Sequence, residues 1–163
     1  MISSVCFKLA KKAQLHTSYG AIQDVLQARG ISQPGIQDVA NAVIEIRQSK
    51  LPDPKDIGNS GSFFKNPTVS AEEAKRLHAE NPSIPSYPVV GSTDVKFPAG
   101  WFIEQAGWKG FRDGDAGVHA KQALVLVNYG HATGLQLLDL SEKIKQSVRS
   151  KFGVTLETEV NIL

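Results

Sequence analysis

The most constraining feature of this chain is an apolar stripe followed at once by a change of period. Leu137, Leu140, Ile144, Val148 and Phe152 fall on one side of a long helix that stops at Gly153. Directly after it, Val154, Leu156, Val160 and Ile162 share one face of a strand, and Thr155, Glu157, Glu159 and Asn161 share the other. Ahead of the helix, Leu124-Val125-Leu126-Val127 is a short continuous apolar run that suits a buried strand. A striped helix has to bury its stripe, and strands with apolar faces offer the surface for it. The pattern predicts an α+β domain with a small sheet and four to five helices.

The remaining elements follow the same logic. Val5, Phe7 and Leu9 alternate with Cys6, Lys8 and Ala10, which predicts a half-buried strand. Ile22, Val25 and Leu26 predict a helix ended by Gly30. Ile36, Val39, Ala40, Val43 and Ile44 predict a second one. Ser49 to Pro67 reads as loop, with Leu51-Pro52-Asp53-Pro54 barring a helical interior. Ser70 and Glu73 have capping-box spacing, so a short helix should run to about Ala79, stopped by Asn81-Pro82. Pro82 to Pro98 carries four prolines and reads as one long loop. Pro98 then opens a short helix through Trp101, Phe102 and Gln105, closed by Gly107. No internal repeat is present, and residues 1–163 are expected to form a single domain.

Composition narrows the functional classes. The 163 residues carry a net charge of only +2, which argues against nucleic acid or an acidic membrane surface as partner. The single cysteine, Cys6, cannot form an internal disulfide. No apolar run approaches a membrane span, and the first residues lack the layout of a signal peptide, so a cytoplasmic location is expected. The four histidines are too scattered to predict a metal site.

Four features hold candidate chemistry. Gly58-Asn59-Ser60-Gly61 is glycine-rich, which fits either a phosphate-binding loop or a structural turn feeding a strand. It lacks the P-loop spacing, and composition favours the turn. Glu157 and Glu159 share a polar strand face, where they are either solvated or paired for acid–base work. Lys50, Lys65 and Lys109 sit beside breakers or aromatics, a placement that surface lysines share. His119 and Gln122 stand at the entrance of the Leu124–Val127 run; a histidine there is usually just hydrogen-bonded. Trp101, Phe102 and Trp108 read as core.

Five ordered blocks give a resemblance. They are Ser49-Lys50-Leu51-Pro52-Asp53-Pro54, Gly58-Asn59-Ser60-Gly61-Ser62-Phe63-Phe64-Lys65-Asn66-Pro67, and Ala99-Gly100-Trp101-Phe102-Ile103-Glu104-Gln105-Ala106-Gly107-Trp108-Lys109-Gly110. His119-Ala120-Lys121-Gln122-Ala123-Leu124-Val125-Leu126-Val127-Asn128 and Leu156-Glu157-Thr158-Glu159-Val160 complete the set. Together they resemble the C-terminal, substrate-binding domain of the bacterial UDP-N-acetylenolpyruvoylglucosamine reductases.

The resemblance implies a flavoprotein that uses NADPH to reduce FAD and then reduces the enolpyruvyl double bond of UDP-N-acetylglucosamine enolpyruvate, giving UDP-N-acetylmuramate for peptidoglycan. It matches Ser62 to the family's proton donor, Glu159 to a glutamate near the substrate carboxylate, and Lys50 to a lysine close to the serine and the substrate. It matches Asn66, Tyr87, Lys109 and Gln122 to positions that hold the UDP-sugar. The family's flavin-binding domains precede this region and are expected as the missing partner, so this chain alone is expected to be inactive. Thr158 stands where the family usually has proline. The alternative is a stand-alone nucleotide-sugar-binding module without catalysis.

Overall fold

The computed structural model describes residues 3–162. The chain divides into two compact units, Met1–Lys50 and Leu51–Leu163.

In the first unit, α1 (Ile22–Ala28) and α2 (Ile36–Lys50) pack through Ile22, Leu26 and Ala42. Gly30, with φ of +69°, closes α1. Its N–H bonds to the Gln27 carbonyl, and the next N–H, of Ile31, reaches back to Leu26. This is the Schellman arrangement, and Ile31 packs beside Leu26 as that motif favours. The stripe expected on α2 is only partly used: Val39 and Val43 pack inward, whereas Ile36 and Ile44 are exposed. Two short helices alone cannot cover a wide apolar face.

Residues 3–10 form no strand. Val5, Phe7 and Leu9 are 65%, 77% and 83% exposed, which corrects the expectation of a half-buried strand there. Alternation sets which side chains share a face, but a strand also needs a neighbour for its N–H and C=O groups. No partner strand lies alongside among the described residues. Cys6 is an exposed free thiol on this segment.

The second unit holds two antiparallel sheets. The larger has the order β1–β7–β6–β5, built from β1 (Gly58–Ser62), β5 (Arg112–Asp113), β6 (Ala116–Val118) and β7 (Val125–Asn128). The smaller has the order β2–β4–β3, from β2 (Thr68–Val69), β3 (Tyr87–Pro88) and β4 (Val95–Lys96). Pro88 lies on the edge strand β3, where its missing N–H breaks no ladder. Helices α3 (Ala71–Glu80), α4 (Ala99–Gln105) and α5 (Gly134–Phe152) complete an α+β fold.

The α5 stripe is used as expected. Leu140, Ile144, Val148 and Phe152 are buried with Ala116, Val118 and Leu126 of the larger sheet, while Phe63, Phe64, Phe97 and Phe102 fill the same core. The five helices fall where the stripes, the Ser70 cap and the Pro98 start place them, but Gly58–Ser62 and the Pro82–Pro98 stretch contain strands rather than loop alone. The first is glycine-rich and the second proline-rich, compositions that disfavour strands on their own. Pairing with buried β7 and with β4 overrides that preference. Leu51–Ile57 remains irregular, as the two prolines require.

Three helix ends show how the local sequence signals are used. Gly107, at φ +86°, repeats the Schellman closure at the end of α4. Its N–H bonds to Glu104, and the Trp108 N–H bonds to Ile103. Only a residue without Cβ takes that φ readily, and the turn swings Trp108 back against the core. At α3, Ser70 Oγ accepts from the Glu73 N–H, but the Glu73 carboxylate turns to Arg76 instead of completing the box. The complete capping box is Thr133–Gln136, which starts α5.

Candidate functional site

Strand β1 ends at Ser62, which stands opposite Val125 of β7 across a register shift between Asn59 and Ser62. Such a bulge bends a strand and re-aims its last side chain. Ser62 is exposed, and its hydroxyl has no partner among the described residues. The chain continues through buried Phe63 and Phe64, and this segment is joined by the C-terminal stretch. Phe64 bridges Thr158, the Lys65 N–H bonds to the Glu157 carbonyl at 2.9 Å, and the Glu159 N–H bonds to the Phe63 carbonyl at 2.8 Å. The backbone of Glu159 is thereby fixed beside the residue that follows Ser62.

The expected C-terminal strand does not form: beyond α5 the described residues hold one isolated bridge, Phe64–Thr158, because only this stretch meets a neighbouring backbone. Val154 and Leu156 are buried, whereas Ile162 is exposed. The two glutamates differ. Glu157 pairs with Lys65 at 3.1 Å, while the Glu159 carboxylate has no side-chain partner among the described residues.

A second group gathers around α4. Asn66 Oδ1 accepts the Ala99 N–H at 2.9 Å, satisfying one of the free donors at the helix start. Gln122 Oε1 lies 3.6 Å from the point a Cβ on Gly100 would occupy, so Asn66 and Gln122 converge on the same turn. Lys109 follows the Gly107 turn and pairs with Glu104 at 2.9 Å. Tyr87, on β3, is exposed and lies opposite Lys96. Lys50 ends α2 in the first unit.

A cleft of about 270 Å³ is lined by Lys65, Asn66, Pro67, Thr68, Thr155 and Glu157. It includes Asn66 but neither Ser62 nor Glu159.

The hairpin that precedes His119 is held by charge. Asp115 accepts the His131 N–H and pairs with Arg112, and these contacts hold its carboxyl below the usual range, the His131 bond first. Arg112 in turn lies over the Tyr129 ring at 4.2 Å. Gly117, inside the sheet, leaves no room for a side chain: a Cβ there would meet Tyr129 at 2.8 Å and the Phe111 carbonyl at 2.9 Å.

His119 is not simply hydrogen-bonded, in contrast to the sequence expectation. Its Nδ1 and the Trp108 Nε1 are enclosed without a partner among the described residues. Burial, with the Lys121 charge second, holds the imidazole below its ordinary pKa. No cluster of three metal-ligating side chains and no helix long and apolar enough to cross a membrane occurs among the described residues.

These features define a class: an α+β domain in which a long helix covers one antiparallel sheet while serine, glutamate, amide and lysine side chains collect at strand and helix ends. The family model described as "UDP-N-acetylenolpyruvoylglucosamine reductase, C-terminal domain" matches residues 53–163, and the chain belongs to that family.

The relatives agree. The UDP-N-acetylenolpyruvoylglucosamine reductase of Chromobacterium violaceum is 55% identical over 163 residues, covering 100% of this chain and 48% of the relative. That of Flavobacterium johnsoniae is 53% identical over 164 residues, again covering 100% of this chain and 48% of the relative. That of Pseudomonas aeruginosa is 48% identical, covering 99% and 48%. The chain thus spans about half the length of the curated relatives it matches. The crystal structure of UDP-N-acetylenolpyruvylglucosamine reductase from Thermus caldophilus aligns with a TM-score of 0.45 at 22% identity, over 80% of this chain and 36% of that one.

Proposed function

We propose that this chain is the substrate-binding, proton-donating part of a cytoplasmic, flavin-dependent reductase that converts UDP-N-acetylglucosamine enolpyruvate to UDP-N-acetylmuramate in peptidoglycan synthesis. The observation that carries the reading is the pairing of the Glu159 backbone with Phe63, beside the exposed hydroxyl of Ser62. It supports the two roles that family membership suggests for these side chains.

Reduction adds a hydride and a proton across the enolpyruvyl double bond, and this chain's share is the proton. Ser62 Oγ gives its proton to the carbon that bears the carboxylate. A serine hydroxyl is a weak acid, so the acceptor is a strong base, an enolate-like carbon formed as hydride arrives. Glu159 sits where that enolate charge develops. A second carboxylate there would repel the substrate's own, so Glu159 acts in its protonated form as a hydrogen-bond donor. Family membership suggests the same substrate end for Lys50. Lys109 takes the diphosphate as a point charge, and Asn66, Tyr87 and Gln122 hold the nucleotide sugar.

Among the described residues, the glycine-rich stretch does not form a flavin cradle. The one glycine-rich stretch, Gly58–Ser62, is a strand paired with β7 and not a turn opening a helix. FAD and NADPH are accordingly assigned to the remainder of such an enzyme, and the chain alone is inactive in this reading.

Calorimetric titration of the chain with UDP-N-acetylglucosamine enolpyruvate, UDP and FAD tests the binding role. Binding of the nucleotide sugar without FAD is expected; binding of FAD alone would reverse the assignment. Within a complete reductase, Ser62→Ala should slow enolpyruvyl reduction by about 10²–10⁴-fold. NADPH-driven flavin reduction should be unchanged, and its collapse would remove Ser62 from the proton step.

A further inference from the structure

His119 lies one residue beyond β6. Gly117 faces Val127 and Val118 faces Leu126, so the register continues to place His119 opposite Val125. The His119 N–H accordingly bonds to the Val125 carbonyl at 2.9 Å. Ser62 faces the same Val125 from the other side. Directly opposite residues on antiparallel strands share a face. Ser62, Val125 and His119 therefore form one row across three strands, its ends about 10 Å apart.

The two enclosed, unpartnered side-chain nitrogens among the described residues flank a single contact. A Cβ on Gly110 would lie 3.7 Å from Ala120 Cα, and the Val118 N–H bonds to the Phe111 carbonyl at 2.8 Å. Trp108 is on one of these segments and His119 on the other. So are Lys109 and Gln122, two of the four residues assigned above to the nucleotide sugar.

A neutral imidazole has one donor nitrogen and one acceptor, whereas an imidazolium has two donors. An enclosed N–H without an acceptor loses its hydration and regains nothing, and a charged one loses more. The unpartnered Nδ1 of His119 is therefore the nitrogen that carries no proton.

We infer that His119 holds its proton on Nε2 and donates it to an uncharged oxygen of the bound nucleotide sugar, as a further ligand contact in the Ser62 row. This rests on the reading of the site under Proposed function. A neutral donor matches a hydroxyl or carbonyl oxygen and leaves the diphosphate to Lys109.

The test has two arms, both on the full chain. NMR of the imidazole nitrogens at pH 7 reads the tautomer directly, and the Nε2–H form is expected. The Nδ1–H form or an imidazolium overturns the inference. In the second arm UDP-N-acetylglucosamine is titrated into the wild type, His119→Gln and His119→Asn. Glutamine places an N–H near the reach of Nε2, and asparagine near that of Nδ1. Binding to His119→Gln should stay within about twofold of wild type, and binding to His119→Asn should weaken by about five- to tenfold, the worth of one neutral hydrogen bond. Equal binding by all three chains overturns the inference and leaves the site reading intact. A wild-type chain with the Nε2–H tautomer that binds no nucleotide sugar overturns the site reading and the ligand contact together. The NMR arm needs no variant, so a substitution that prevents folding does not remove the test.

Discussion

Val5–Leu9 and Val125–Val127 are both strand-like sequences, yet their fates are opposite. The first leaves Val5, Phe7 and Leu9 largely exposed; the second buries Val125 and Val127 completely and leaves Leu126 3% exposed. Hydrophobicity does not separate them. Pairing does: β7 has β1 on one side and β6 on the other, with α5 packed over the sheet, while Val5–Leu9 has no strand beside it among the described residues. An apolar alternation supplies a face, and the stabilisation comes only when neighbours cover that face and pair the backbone.

The same substitution in the two segments tests this most sharply. Leu126→Ala should destabilise the second unit by about 3–4 kcal/mol, the usual result of truncating a well-packed leucine. Urea unfolding reads it, and a loss below about 1 kcal/mol would mean that α5 does not seal this sheet. Gly117→Ala should come next, at about 2 kcal/mol, because the methyl has to displace the Phe111 carbonyl and Tyr129. Acid should have a smaller effect. The folded state holds the His119 proton less readily than the unfolded chain does. Its contribution is therefore complete above the unfolded value of about 6.5 and is lost as pH falls below it. His119→Gln should flatten that part of the urea-midpoint profile against pH. Leu9→Ala should change stability least, by under about 0.5 kcal/mol. A loss comparable to that of Leu126→Ala would show that the segment is covered in solution, and the contrast would fail.

The helices were legible because a 3.6-residue stripe is written over many positions. Leu140, Ile144, Val148 and Phe152 all report the same face of α5. The small sheet was not legible: Thr68–Val69, Tyr87–Pro88 and Val95–Lys96 are each too short to show a period. Gly58–Ser62 is long enough, but its composition signals a turn, and only its pairing with β7 makes it a strand. Among the candidates, Ser62, Glu159, Asn66 and Gln122 stood out as residue types within recognisable blocks. The contacts that set Glu159 beside Phe63 and Asn66 at the start of α4 did not, since they join segments far apart in sequence. The unpartnered Nδ1 of His119 had no sequence signal at all, because enclosure of a single atom depends on the Gly107–Gly110 turn folding against Ala120.

Asn66 shows how a fold can settle an ambiguity built into a side chain. A carboxamide is symmetrical in outline and opposite in polarity at its two ends, so a free asparagine greets donors and acceptors alike. With Oδ1 engaged by Ala99, the rotation that would exchange the ends is blocked, and the outward end is always the amino group. A visitor from solvent meets hydrogens first, and one that offers hydrogens of its own is left with only the second lone pair of Oδ1. A helix start has in effect assigned a sign to a neutral residue.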